Sequence, residues 1–279
     1  MLEPQTRVHL AVEAVLKKFA PARLGAEEIA VSLVHWADGR ELSGHHRGDV
    51  PLYPASVVKL FYLAAAHRWI EDQRIVDTPE LRRALHDMIV HSGNEATGHV
   101  VDVLTGTTSG PELPPAELAA WHERRDAVNR YFRSVGYRDV NVNRKTWNDG
   151  PYGREKQARD DFNPGRNSLT TNATARLLVE LATGRCVSAA RCREMLELLE
   201  RDVAHPPAHD YQAREFIAAG LPPTARLWSK AGDMSTARHD AAIVQLADGR
   251  KCVLVIFTTR PDNKKIIPEI ARHLISTWP

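Results

Sequence analysis

Apolar and polar residues change period several times along this chain, and each change marks an element. Val8, Leu10, Val12, Val15, Leu16 and Phe19 alternate with charged residues as on an amphipathic helix. Residues 28–36 are dominated by apolar and β-branched side chains and read as a strand. Ala37-Asp38-Gly39-Arg40 then turns the chain into a second strand at 41–45. From residue 56 to about 215 the pattern is mainly helical, with clear runs at 81–90 and 96–104. It is interrupted at 105–115 and by a long polar stretch at 141–168. Residues 226–232, 240–246 and 251–258 read as three strands, the last two joined by a turn at 247–250. Residues 263–278 close the chain as an amphipathic helix.

Strands at both ends with helices between them imply an α+β chain whose ends meet in one antiparallel sheet flanked by terminal helices. Residues 1–50 and 216–279 would build that lobe, and 51–215 an inserted all-helical lobe. A cleft between lobes is a common place for a small-molecule site.

Composition adds limits. The 279 residues are 43% hydrophobic and 26% charged, as in ordinary globular proteins. The formal net charge of +2 gives no reason to expect nucleic acid as a partner. No apolar stretch is long enough to span a bilayer, and residues 1–7 lack the pattern of a signal peptide, so a cytoplasmic protein without membrane contact is expected. Cys186, Cys192 and Cys252 read as free thiols, a Cys186–Cys192 disulfide being the alternative. The pairs His45/His46 and His205/His209 lack the companions of a recognisable ligand set. No metal and no organic cofactor is expected. Trp121, Trp147 and Trp228 read as core or pocket residues.

The chemistry begins at Pro54-Ala55-Ser56-Val57-Val58-Lys59, which opens an apolar helical run. Residues three apart share a helix face, so the Lys59 amine can reach the Ser56 hydroxyl. A desolvated lysine is one base that can activate a serine, and a helix start directs free N–H groups at developing negative charge. Ser-x-x-Lys alone is weakly specific. Two further motifs follow it: His91-Ser92-Gly93-Asn94 between two helical runs, and Trp228-Ser229-Lys230-Ala231-Gly232-Asp233 on a strand entering a hairpin.

The order Ser-x-x-Lys, Ser-x-Asn, Lys-x-Gly resembles that of the class A serine β-lactamases and penicillin-binding proteins. Residues 165–171 leading into an apolar helix are similar to the end of that family's omega loop, and the three final strands are similar to its own. The resemblance runs from about residue 28 to the end, and implies a β-lactamase/transpeptidase-like fold. It also implies that Ser56 forms an acyl-enzyme, with the N–H groups of Ser56 and of Asp233 or Met234 as the oxyanion hole. Lys59 would take or relay a proton, Ser92 would pass one to the leaving group, and Asn94 would hold Lys59 or a substrate amide. Lys230, Ala231, Gly232 and Asp233 would line the substrate, with Lys230 facing a substrate carboxylate.

Three departures stand out. Gly93 replaces the usual acid, and Ala231 replaces a hydroxyl residue that normally binds the substrate carboxylate, a loss that Arg238 or His239 is expected to offset. In the polar stretch Glu155 stands at the right distance to be the deacylating base, without the family's companion asparagine; Asp160 and Asp161 compete with it. The expectation is a serine hydrolase acting on a β-lactam, or on an amide or ester with a carboxylate near the scissile bond. A cytosolic esterase or peptidase, or a penicillin-binding sensor without turnover, is the alternative.

Overall fold

The computed structural model describes residues 2–163 and 165–278, which leaves Pro164, just before the expected omega-loop end, outside the described residues. Helix α1 (Pro4–Lys18) leads into β1 (Ile29–Ala37) and β2 (Arg40–His46). A tight turn at Ala55–Val58 opens α2 (Lys59–Glu71), followed by α3 (Pro79–Ile89), α4 (Asn94–Thr105), α5 (Pro115–Arg125) and α6 (Ala127–Ser134). Then come α7 (Gly153–Asp161), α8 (Thr171–Ala182), α9 (Ala189–Leu199), β3 (Glu200–Arg201) and α10 (Tyr211–Arg214). β4 (Arg226–Met234), β5 (Ala237–Gln245), β6 (Lys251–Thr258) and α11 (Ile266–Ser276) complete the chain.

The six strands form one antiparallel sheet in the order β2-β1-β6-β5-β4-β3. β6 reads as a continuous apolar run because both of its faces are covered. Val253, Val255 and Phe257 face the helical core with α2 and α8, while Cys252, Leu254 and Ile256 face α1 and α11. Burying each such side chain contributes roughly 1.5–3 kcal/mol. Thr78, Thr170 and Ser188 cap α3, α8 and α9 through their hydroxyls. Gly106 ends α4 at φ +60, where a side chain would be strained.

Two elements differ from the sequence reading. α7 lies within the stretch read as irregular, because it buries only Glu155 and Ala158 and so carries no apolar period. β3 pairs with Leu227 and Trp228 of β4, so the segment assigned to the helical lobe also contributes an edge to the sheet. All three cysteines are free. No helix among the described residues is long and apolar enough to cross a membrane.

Candidate active site

Ser56 sits half-buried in the Ala55–Val58 turn, whose Val57 and Val58 are fully buried and fix it to the core. Ala55 just before it adopts φ +45, a strained conformation for a non-glycine residue. Lys59 opens α2 and is fully buried. Its amine donates to Ser92 O at 2.6 Å, Ser92 Oγ at 3.2 Å and Asn94 Oδ1 at 3.0 Å, rather than to Ser56. Burial lowers its pKa to about 7, partly offset by the charge of Glu95.

The Ser92 loop between α3 and α4 is the second part. Ser92 takes φ +57, and Gly93 N donates to Asp87 O at 2.9 Å, so a backbone contact braces the loop where a carboxylate is absent. Asn94 donates to Asn148 Oδ1 at 2.7 Å, and Asn148 donates to Glu95 at 2.7 Å.

β4 supplies the third part. Lys230 is fully buried and donates to Ser92 Oγ at 3.0 Å, Gln212 Oε1 at 2.9 Å and Ala231 O at 2.7 Å. Burial, then repulsion from Lys59 and Arg201, holds its pKa well below the usual lysine value. Two amines thus converge on one hydroxyl. With both donating, the proton of Ser92 must point elsewhere, which suits a relay to a reacting group.

The edge of β4 also faces Ser56. Ala231 N donates outward to Gln212 Oε1 at 3.0 Å, away from β5. Strand alternation turns the Asp233 N–H to the same edge. A Cβ on Gly232 would lie 2.9 Å from Ser56 N and 2.9 Å from Pro54 O, so only glycine permits this approach. Gly232 thereby packs directly against Ser56 N, with the Asp233 amide one residue farther along the strand.

Two expected residues sit elsewhere. The Arg238 guanidinium donates to Asp233 at 2.6 Å and Glu215 at 2.5 Å, and stacks 3.8 Å over Phe216. It is buried and engaged by two carboxylates, so it does not present the free cation expected for a substrate. His239 cannot supply that charge either. Burial lowers its pKa to about 4, and it binds Tyr53 O at 2.9 Å as a neutral ring tying the Ser56 turn to β5. Glu155 is buried; its Oε1 accepts from Arg125 Nη2 at 2.6 Å and Ser109 at 2.9 Å, with Lys145 3.7 Å away. No hydrogen bond among the described residues links it to Lys59, Ser92 or Ser56. Asp160 pairs with Lys156 and Arg159 on the surface.

Sequence reasoning missed Gln212, Tyr211, Asn148 and Glu95. Gln212 is buried and joins Lys230 and Ala231 to the carbonyls of Ile89 and Val90. Burial raises the Tyr211 phenol, offset in part by a hydrogen bond with Ser92. The one signal for these two was Asp210, which caps α10. His45 and His46 bind backbone groups instead of assembling a ligand set. A different group, His86, Asp87 and His91 at the end of α3, brings three ligand atoms within 4.8 Å of one another. Trp121 and Trp228 are buried, while Trp147 lines a cavity.

Residues 69–278 match the sequence model of a family described as the β-lactamase enzyme family; the match begins beyond Lys59. Among solved structures the chain is similar to a β-lactamase from Sphaerobacter thermophilus DSM 20745, at 20% identity over 97% of this chain and 96% of that one, with a TM-score of 0.69. It is similar to PBP-A at 17% identity, over 100% and 99% of the chains, with a TM-score of 0.67. A β-lactamase from Chitinophaga pinensis DSM 2588 matches at 19% identity, over 96% and 98%, with a TM-score of 0.67. These likenesses establish the β-lactamase/transpeptidase-like fold. No relative matches among curated proteins.

Proposed function

The chain belongs to the β-lactamase enzyme family, and we propose on that premise that it is a serine hydrolase of the class A type, acylated on Ser56 by a β-lactam or a related amide or ester. The observation that carries this reading is the convergence of Lys59 and Lys230 on Ser92 Oγ, at 3.2 and 3.0 Å, beside the gap between Gly232 and Ser56 N.

In this mechanism Ser56 Oγ attacks the carbonyl carbon and its proton passes to neutral Lys59, a large share of which is deprotonated near pH 7. The carbonyl oxygen becomes an oxyanion held by the N–H groups of Ser56 and Asp233, a contribution of typically ~3 kcal/mol per donor. The C–N or C–O bond then breaks. Ser92 gives its proton to the leaving atom and regains one from the lysines that contact it. Lys230 provides the positive field for a substrate carboxylate near the scissile bond, with no metal or organic cofactor taking part.

Deacylation is where this chain departs from an efficient β-lactamase. Arg125 and Ser109 hold only Oε1 of Glu155, and Oε2 has no partner among the described residues; with the carboxylate clamped on one side as the anchor of α7, slow deacylation is the expected behaviour. That observation favours, as a second reading, a penicillin-binding protein that turns over slowly. An intact-mass time course with benzylpenicillin tests both. An adduct on Ser56, absent in Ser56→Ala, supports acylation; its decay separates hydrolysis from retention. No adduct at any time refutes β-lactam acylation and leaves the esterase or peptidase alternative.

A further inference from the structure

α3 ends beside the candidate active site, and its last turns gather three side chains that neither the acylation chemistry nor the core uses. His86 and His91 are exposed and Asp87 is partly buried. The two histidines are five residues apart, which on an unbroken helix would point them about 140° away from each other. α3 stops at Ile89, however, and the chain bends at His91, so that its ring returns to the side of His86. The two rings lie 5.4 Å apart, edge to face. Asp87 Oδ1 stands 3.1 Å from His86 Nδ1, and one ligand atom from each of the three residues falls within 4.8 Å of the others.

The donor set has a definite chemistry. Two imidazole nitrogens and one carboxylate oxygen suit zinc and its first-row neighbours, whereas magnesium and calcium favour shells of oxygen. Ligand atoms bound at about 2.0–2.2 Å in a tetrahedral shell stand roughly 3.4 Å from one another. The His86–Asp87 pair is already that close, and rotation of exposed side chains supplies the remaining closure of about 1.4 Å. No cation competes for the acid, since no lysine or arginine among the described residues pairs with Asp87. Three protein ligands leave a fourth position for water.

We propose that His86, Asp87 and His91 form a binding site for a divalent cation of the zinc type, which clamps the end of α3 to the loop that carries Ser92. The same residues already frame that loop through the backbone. Val90 N donates to His86 O at 2.7 Å and Gly93 N to Asp87 O at 2.9 Å, while His91 directly precedes Ser92 at φ +57. A bound ion adds a side-chain tie across those backbone bonds. It makes and breaks no bond of a substrate, so the clamp stands independently of the acylation of Ser56.

The test uses untagged, metal-stripped protein at neutral pH. One equivalent of Co²⁺ should bind, with a visible absorption spectrum reporting nitrogen and oxygen ligation, and Zn²⁺ but not Mg²⁺ should displace it. Zn²⁺ should raise the melting temperature and slow hydrogen exchange at the Val90 and Gly93 amides. His86→Ala and, separately, Asp87→Asn should each weaken Zn²⁺ binding at least about tenfold and remove the slowing of exchange. His209→Ala, away from the cluster in sequence, is the control and should bind Zn²⁺ as the parent protein does. Absence of Zn²⁺ binding, binding that survives both cluster variants, or binding that leaves exchange at Val90 and Gly93 unchanged overturns the clamp.

Discussion

Gly232→Ala isolates the gap between β4 and the nucleophile turn. The added Cβ would stand 2.9 Å from Pro54 O, 2.9 Å from Ser56 N and 3.1 Å from the Ala55 Cβ. Ordinary contact starts near 3.4 Å, so strand and turn must separate by about 0.5 Å. Neither side yields easily. β4 is paired to β5 along its whole length, with Gly232 opposite His239, and His239 itself holds Tyr53 O. Overpacking by one methyl group costs ~1–3 kcal/mol of stability, a Tm loss of a few degrees in a chain of this size. The proposed chemistry suffers more, because the same half-ångström displaces Ser56 N from the Asp233 amide, the two donors proposed for the oxyanion. Loss of one donor slows acyl transfer by about 10²–10³-fold. Mass-resolved acylation by benzylpenicillin should therefore slow by about 10²-fold, while a thermal melt shifts only slightly. Gly98→Ala is the control. Its Cβ meets nothing closer than Lys145 Cδ at 3.6 Å, in the interior of α4, so it should leave acylation unchanged and hold or raise Tm. Acylation of Gly232→Ala within twofold of wild type would refute the placement of the oxyanion gap.

Other consequences are as direct. With Lys59 at about 7 as proton acceptor, the acylation rate should rise with pH around a midpoint near 7, and Lys59→Arg should remove both the rate and its pH dependence. The same group shapes stability. Its folded pKa lies below the unfolded value of 10.5, so the unfolded chain binds the proton more readily, and this contribution to stability rises with pH between about 7 and 10.5 in urea titrations. Glu155→Gln leaves Arg125 buried without its main counter-charge and should cost ~3 kcal/mol by denaturant unfolding, with acylation changed by less than about threefold. A fall in deacylation of about 10²-fold in that variant would instead make Glu155 the base. Gln212→Leu removes the oxygen that accepts from Ala231 N and from Lys230 Nζ, leaving both donors without it, and should slow acylation about tenfold in the mass time course, a loss of ~1.4 kcal/mol.

The sheet was legible because its strands obey a simple rule. β6 was read at 251–258 and stands at Lys251–Thr258, since the apolar run of six from Cys252 to Phe257, which follows a turn, has few other homes. The three motifs were legible for a chemical reason, each pairing residues of matched function at fixed spacing, and the structure joins Lys59, Ser92, Asn94 and Lys230 through hydrogen bonds. What stayed hidden depends on partners far apart in sequence. α7 has no apolar stripe because Glu155 is held by Arg125, thirty residues earlier. Arg238 looked available for a substrate because nothing in sequence announces that Glu215, twenty-three residues earlier, closes on it together with Asp233 across the hairpin. Gln212 looks like any glutamine of a short helix until β4 is laid beside it.

The strand order has a further consequence, for the time at which the site comes into being. β1 takes its inner neighbour from β6, more than two hundred residues later, and Arg7 of α1 reaches Leu274 of α11 at 2.5 Å. As the chain leaves the ribosome, Ser56 and Lys59 emerge early, yet Lys230 and the Asp233 amide follow only after the helical segments are complete. Closing so long a loop comes late and slowly. A growing chain thus carries Ser56 and Lys59 long before β4 can pack beside them, so the proposed oxyanion gap forms only once the C-terminal strands have joined β1.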